Sequence, residues 1–214
     1  MNARSEAAAK TRARLLDAAL TLFAQRGYAA TGIREILKSA GVTQPTLYHH
    51  FAGKSALLQA LIEQHYGESQ QRLAEVLTAE PSVAGKLLIF VTSSFEHCCV
   101  DPRVPRLMFQ TYMGPTVPEI DGVLDKLTAK RFRLVVQIME LGMRTGELRK
   151  SEPEFLAISF CSMVDQPLNL FSRKSRPKRY LTSELAHAIV ELFLTGASRN
   201  ERRMMPLIFS GANF

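Results

Sequence analysis

Apolar residues recur at helical spacing along most of this chain. From Lys10 to Gln25, Leu15, Ala18, Ala19, Leu22 and Phe23 share one face, with Arg12 and Arg14 off it, and Gly27 closes the segment. Residues 1–9 are small and polar and are expected to fray. Thr31 or Gly32 opens a second helix, in which Ile33, Ile36, Leu37 and Ala40 face inward and Arg34 and Lys38 outward. Gly41 tolerates a positive φ and ends it. After a turn at Val42 and Thr43, a helix of about two turns follows, with Thr43 expected to cap its free N–H groups and Pro45 tolerated in its first turn. Leu47 and Phe51 form its apolar edge, while Gln44, Thr46, Tyr48, His49 and His50 are left outward. So short a helix does not stand alone in water, so neighbours must hold it. Two short helices joined by a tight Gly-containing turn form a helix-turn-helix, whose second helix reads a DNA major groove.

The remaining pattern is also helical. Lys54 to Leu77 carries Leu57, Leu58, Leu61, Ile62 and Tyr66 inward and ends before Pro81. Val83 to Cys99 is apolar almost all round and is expected to be buried. Pro102 and Pro105 bracket a break before a short helix, Leu107 to Met113, that Gly114 and Pro115 end. Pro118 to Thr145 is a long amphipathic helix capped by Gly146, and Pro153 to Phe171 is another, with a kink expected at Pro167. Arg173 to Arg179 reads as a solvated basic loop, rather than a nucleic-acid patch, leading to a last helix from Thr182 to Ser198. The tail from Glu201 to Phe214 mixes charge with apolar residues and yields no prediction. No period-2 strand or internal repeat is evident, so the fold class is all-α. The division expected is a three-helix helix-turn-helix domain over residues 1–56 and a larger helical domain over 57–214.

Charge sharpens the picture. The 214 residues carry a formal net charge of +7 and are 46% hydrophobic, enough for a sizeable core. Residues 1–56 hold eight Lys/Arg against three Asp/Glu, whereas the other 158 hold 19 against 17. Most of the positive excess therefore sits with the helix-turn-helix and points to an acidic partner. No apolar run of about 20 residues is present, the first residues do not resemble a secretory signal, and three cysteines do not make a disulfide framework. These features predict no membrane association and a reducing, cytoplasmic setting.

Thr31-Gly32-Ile33-Arg34-Glu35-Ile36, Ala40-Gly41-Val42, Thr46-Leu47-Tyr48-His49-His50-Phe51 and Lys54-x-x-Leu57-Leu58 together resemble the TetR family of transcriptional regulators. Gln44-Pro45-Thr46-Leu47-Tyr48 is especially similar to the recognition helix of the tetracycline repressor class. Leu37 departs from the pattern, since the family usually has Ala there, and a slightly wider crossing of the first two helices is expected. The resemblance covers about residues 10–60. It implies a homodimeric regulator, usually a repressor and not an enzyme, that binds a palindromic operator on double-stranded DNA. A small-molecule inducer bound in the larger domain would release it, and no metal or cofactor is expected.

On this reading Gln44 hydrogen-bonds a base edge and Pro45 and the Thr46 methyl meet a thymine methyl. Arg34, Thr43, Tyr48, His49, His50 and Lys54 serve as base or phosphate contacts, Lys54 from the start of the next helix. The inducer cavity would lie among the fourth to eighth helices, with Phe95, His97, Cys98, Met108, Phe109, Tyr112, Met113, Phe132, Met139, Phe160 and Met163 as candidate lining. No acidic residue is clearly placed to select a cation, Asp165 being the nearest candidate, so a neutral, moderately apolar or aromatic ligand is expected. The last two long helices carry small residues (Ala157, Ser159, Cys161, Ser162, Ala186, Ala188, Gly196, Ala197) suited to a four-helix packing across a two-fold axis. The alternatives are a thiol- or redox-responsive regulator using Cys98 and Cys99, a protein-interaction module using the short helix, and an all-α enzyme, for which no acid/base or nucleophile motif is present.

Overall fold

The computed structural model describes residues 3–174 and 177–197. Ser175, Arg176, Ser198 and the tail from Glu201 to Phe214, on which some of the expectations above fall, lie outside the described residues. Among the described residues the chain is all-helical: α1 Ala3–Arg26, α2 Ile33–Ala40, α3 Gln44–His50, α4 Lys54–Ala79, α5 Val83–Val100, α6 Arg103–Met113, α7 Pro118–Thr145, α8 Pro153–Ser172 and α9 Ser183–Ala197, with a 3₁₀ turn at Pro177–Arg179.

Two boundaries differ from the sequence expectation. Helix α1 begins at Ala3 rather than near Lys10, because Ala7, Ala8 and Ala9 are strong helix formers and Glu6 complements the first turn. Helix α6 begins at Arg103, so Pro105 sits inside its first turn, where a missing N–H costs nothing. Pro167 is accommodated within α8 without ending it.

Two hydrophobic clusters organise the chain. The first gathers Leu15, Ala19 and Phe23 of α1, Ile36, Leu37 and Ala40 of α2, Leu47 of α3, Phe51, and Leu57, Leu58 and Ile62 of α4. It also recruits Val104 and Leu107 of α6 and Ile120 and Leu124 of α7, so it is not confined to residues 1–56. The second gathers α5, the C-terminal half of α7, α8 and α9 around Phe90, Phe160 and Phe193. Helix α5 is long and apolar enough by composition to cross a bilayer, yet Leu87, Phe90, Val91 and Phe95 are core residues here.

Ala157 and Ala186, expected at a contact between subunits, are fully buried within the protomer. Outward, α8 and α9 present the small residues Ser162, Ala188 and Gly196 together with Phe155, Ile158, Leu170 and Leu192, each of these four more than half exposed.

Candidate functional site

Every feature around α3 follows from how its neighbours end. Helix α2 starts with a capping box in which the Gly32 N–H donates to Glu35 Oε2 at 3.0 Å. Arg26 adds an ion pair to Glu35 Oε1 at 2.6 Å. The Gly32 N–H, and after it Arg26, hold the Glu35 carboxyl below its ordinary range. Helix α2 ends at Gly41 with φ 61° and ψ 41°, and the Val42 N–H returns to the Leu37 carbonyl at 3.1 Å. From α1, Arg14 donates to the carbonyl of Ala40 and, at 3.2 Å, to that of Gly41, satisfying acceptors that the helix leaves open. The Arg12 guanidinium lies 5.2 Å from the centroid of the Phe51 ring. Sequence reasoning gave neither arginine a role; their visible signal was two cations beside the apolar face of a helix whose partner ends in glycine.

Held in this way, α3 buries Leu47 and leaves Gln44, Pro45, Tyr48 and His49 exposed, with Thr46 and His50 half-buried. Arg34 is exposed on α2. One expectation is corrected, and one residue has partners the sequence did not suggest. Thr43 occupies the N-cap position in extended backbone, but its hydroxyl bonds the Thr46 hydroxyl at 2.9 Å instead of capping an N–H. Lys54 does not project freely: Nζ donates to the carbonyls of Tyr28 and Thr31, each at 3.0 Å, and lies 4.2 Å from the Tyr28 ring centroid. Two short, ordered bonds on an ammonium make Lys54 a clamp on the turn between α1 and α2.

The second feature is a cavity of about 750 Å³ between α4, α5, α6, α7 and α8. Of the expected lining, His97, Cys98, Met108, Phe109, Tyr112, Met113 and Phe132 do face it. Phe95, Met139, Phe160 and Met163 do not. Phe95, Met139 and Phe160 are 3%, 0% and 0% exposed and form the second core, and Met163 packs against it. These four sit at helical spacings that serve both uses, and their apolar neighbours decide between them.

The sequence reading missed the polar wall. Arg131 on α7 makes a two-pronged pair with Asp165 on α8, at 3.2 Å to Oδ2 and 2.7 Å to Oδ1, with its guanidinium 4.9 Å from the centroid of Phe90. Burial works against the Arg131 charge, but Asp165 outweighs it and keeps the group firmly protonated. The available signal was one charge of each sign interrupting the inward face of two helices that pack on each other. Cys98 and Cys161 also line the cavity, and burial pushes their thiols up to about 12 and about 11; Cys99 is raised for the same reason. Thiols held protonated are poor nucleophiles, which weighs against the thiol-responsive alternative at Cys98 and Cys99. Among the described residues no group of three or more His, Cys, Asp or Glu is placed to hold a metal ion.

Between the two sites lies α6. Arg103 binds Asp101 through Nε and NH2 and reaches α1 at Thr21 Oγ1 (2.6 Å) and Asp17 Oδ1 (2.9 Å), while Gln110 donates to the Ala24 carbonyl.

Residues 15–61 match the family model described as bacterial regulatory proteins, tetR family. The transcriptional repressor NemR of Escherichia coli K12 is 34% identical over 188 residues, spanning 83% of this chain and 91% of that one. The chain belongs to the TetR family. It is a transcriptional regulator and not an enzyme. The repressor KstR2 of Rhodococcus jostii is 27% identical over 149 residues, covering 70% of this chain and 73% of its own. The Bacillus subtilis regulator FadR, solved with stearoyl-CoA, superposes with a TM-score of 0.74 at 20% identity over 86% of this chain and 97% of its own, which shows the shared fold.

Proposed function

We propose that this TetR-family regulator is a homodimeric, cytoplasmic repressor that binds a palindromic operator and is released by a small molecule in the α4–α8 cavity. The observation that carries the reading is α3, anchored by Leu47 and offering Gln44, Pro45, Tyr48 and His49 to solvent on one short, rigid helix. Gln44 reads a base edge, and Pro45 with the Thr46 methyl meets a thymine methyl. Arg34, Thr43, Tyr48, His49 and His50 supply further base or phosphate contacts. Lys54 acts mainly by fixing the α1–α2 turn. The functional division runs through α4, with residues 1–56 contacting DNA and 57–214 binding effector and partner, although the first core spans that line. The exposed apolar residues Phe155, Ile158, Leu170 and Leu192 support pairing through α8 and α9 in a second copy. Relatives named for fatty-acid and steroid regulation support an effector that is at least partly apolar.

The test is binding to duplexes selected from a random library or from the gene's own upstream region. If a dimer neutralises about 6–8 phosphates, log K falls with log salt at a slope of about −5 to −7. Gln44→Ala should relax base preference at one position of each half-site and leave the salt slope unchanged. A flat salt response, or binding without any sequence preference, would overturn the reading.

A further inference from the structure

A pocket disfavours a ligand charge of the sign that its wall carries in excess. Here the only Lys or Arg side chain lining the cavity among the described residues is Arg131, and Asp165 already neutralises it through two hydrogen bonds. Arg106, next along α6, turns its guanidinium to the Ser172 carbonyl at 2.7 Å. A second carboxylate, Asp125, lines the cavity at its exposed rim. The wall thus carries one more negative than positive charge, over an otherwise apolar lining of Val104, Pro105, Met108, Phe109, Phe132 and Leu168.

Resting on the effector pocket proposed above, we infer that the cavity takes a largely apolar ligand without negative charge and rejects carboxylates and phosphate esters, with Asp165 setting that preference. An anion reaching Arg131 meets Asp165 first. It must either displace that carboxylate, stranding it in the wall, or lie beside it as a like charge, and both are unfavourable where the pair is partly buried, with the two side chains 23% and 31% exposed. A neutral amide, carbonyl or hydroxyl meets no such conflict. The guanidinium has five N–H donors and commits two to Asp165, which leaves donors for a ligand oxygen, while Asp165 retains lone pairs for a ligand N–H or O–H. Ser162, about one turn before Asp165 on α8, and Gln166, next to it in the chain, also line the cavity and add uncharged hydrogen-bonding groups. The pocket therefore recognises polarity at one place on its wall and discriminates against negative charge.

Isosteric probe pairs test this: decanamide against decanoate and 2-naphthamide against 2-naphthoate, each titrated calorimetrically into the full-length protein near neutral pH. The expected result is at least tenfold tighter binding of the amide in whichever pair binds. Asp165→Asn keeps the shape and frees the Arg131 charge, and should reverse the ratio in favour of the carboxylate. Should that variant not fold, Asp125→Asn at the exposed rim is expected to narrow the amide-to-carboxylate ratio about threefold. Wild-type protein binding carboxylates as tightly as amides overturns the inference and leaves the effector pocket standing. An unchanged ratio in a folded Asp165→Asn variant overturns the role of Asp165. No binding of any of the four probes counts against the cavity as an effector site, and the inference falls with it.

Discussion

The helix-turn-helix and the cavity use charge in opposite ways. Around α3, charged side chains from neighbouring elements are consumed at backbone ends: Arg14 on the carbonyls that close α2, Glu35 on the N–H that opens it, and Lys54 on the turn before it. On α3 itself Gln44, Tyr48 and His49 are left exposed. In the cavity wall Arg131 and Asp165 are matched to each other, and the charge left over is the Asp125 carboxylate at the rim. On the proposed function, a surface meeting a polyanion and one admitting an apolar molecule thus differ less in which residues they contain than in what those residues are already bonded to.

This contrast can be broken most forcefully through the two cores. Leu47→Ala and Phe160→Ala remove fully buried side chains, and each should cost about 2–5 kcal/mol of stability in denaturant or thermal unfolding. Only the first should also abolish operator binding under conditions where the protein remains folded. Equal loss of DNA binding in folded Phe160→Ala would show that α3 depends on the second core as much as on the first. Arg14→Ala is expected to be milder, about 1 kcal/mol, since a partly exposed guanidinium is traded for water at the end of α2. Its mark should be faster amide exchange in α2 and α3, with α8 and α9 unchanged. The smallest effect should come from pH. Glu35 is held below its ordinary range when folded, so its contribution is present above about pH 4.3 and fades as pH falls through the lower folded value. Glu35→Gln should flatten the acid limb of the stability curve; an unchanged limb would assign acid sensitivity to other carboxylates.

Much of the fold was legible because glycine, proline and apolar spacing coincide at most helix ends. Gly41 and Gly146 take the left-handed conformation expected of them, and α7 runs over the bounds read from Pro118 and Thr145. The start of α1 was not legible from apolar spacing, because alanine propensity alone sustains helix there. The outward residues of α3 could be listed from Leu47 and Phe51, but the commitment of Lys54 to Tyr28 and Thr31 could not, since those carbonyls come close only in the folded chain. The pocket was half legible for a related reason. Met, Phe and Tyr at helical spacing fit core and cavity equally well, and only the crossing of α6, α7 and α8 separates Met108 from Met139.

Helix α6 is eleven residues long, and both halves of the molecule lean on it. Val104 and Leu107 belong to the core that holds the DNA-reading helices, Arg103 and Gln110 are tied to α1, and Pro105, Met108, Phe109 and Tyr112 line the cavity. A lineage changing its effector by substituting α6 would disturb its operator grip at the same time. Substitutions on α7 and α8, which face the ligand from the far wall, carry less of that penalty. Divergence in ligand preference should accordingly accumulate at positions such as Thr128, Phe132, Ser162 and Asp165, while α6 changes slowly and in step with α1.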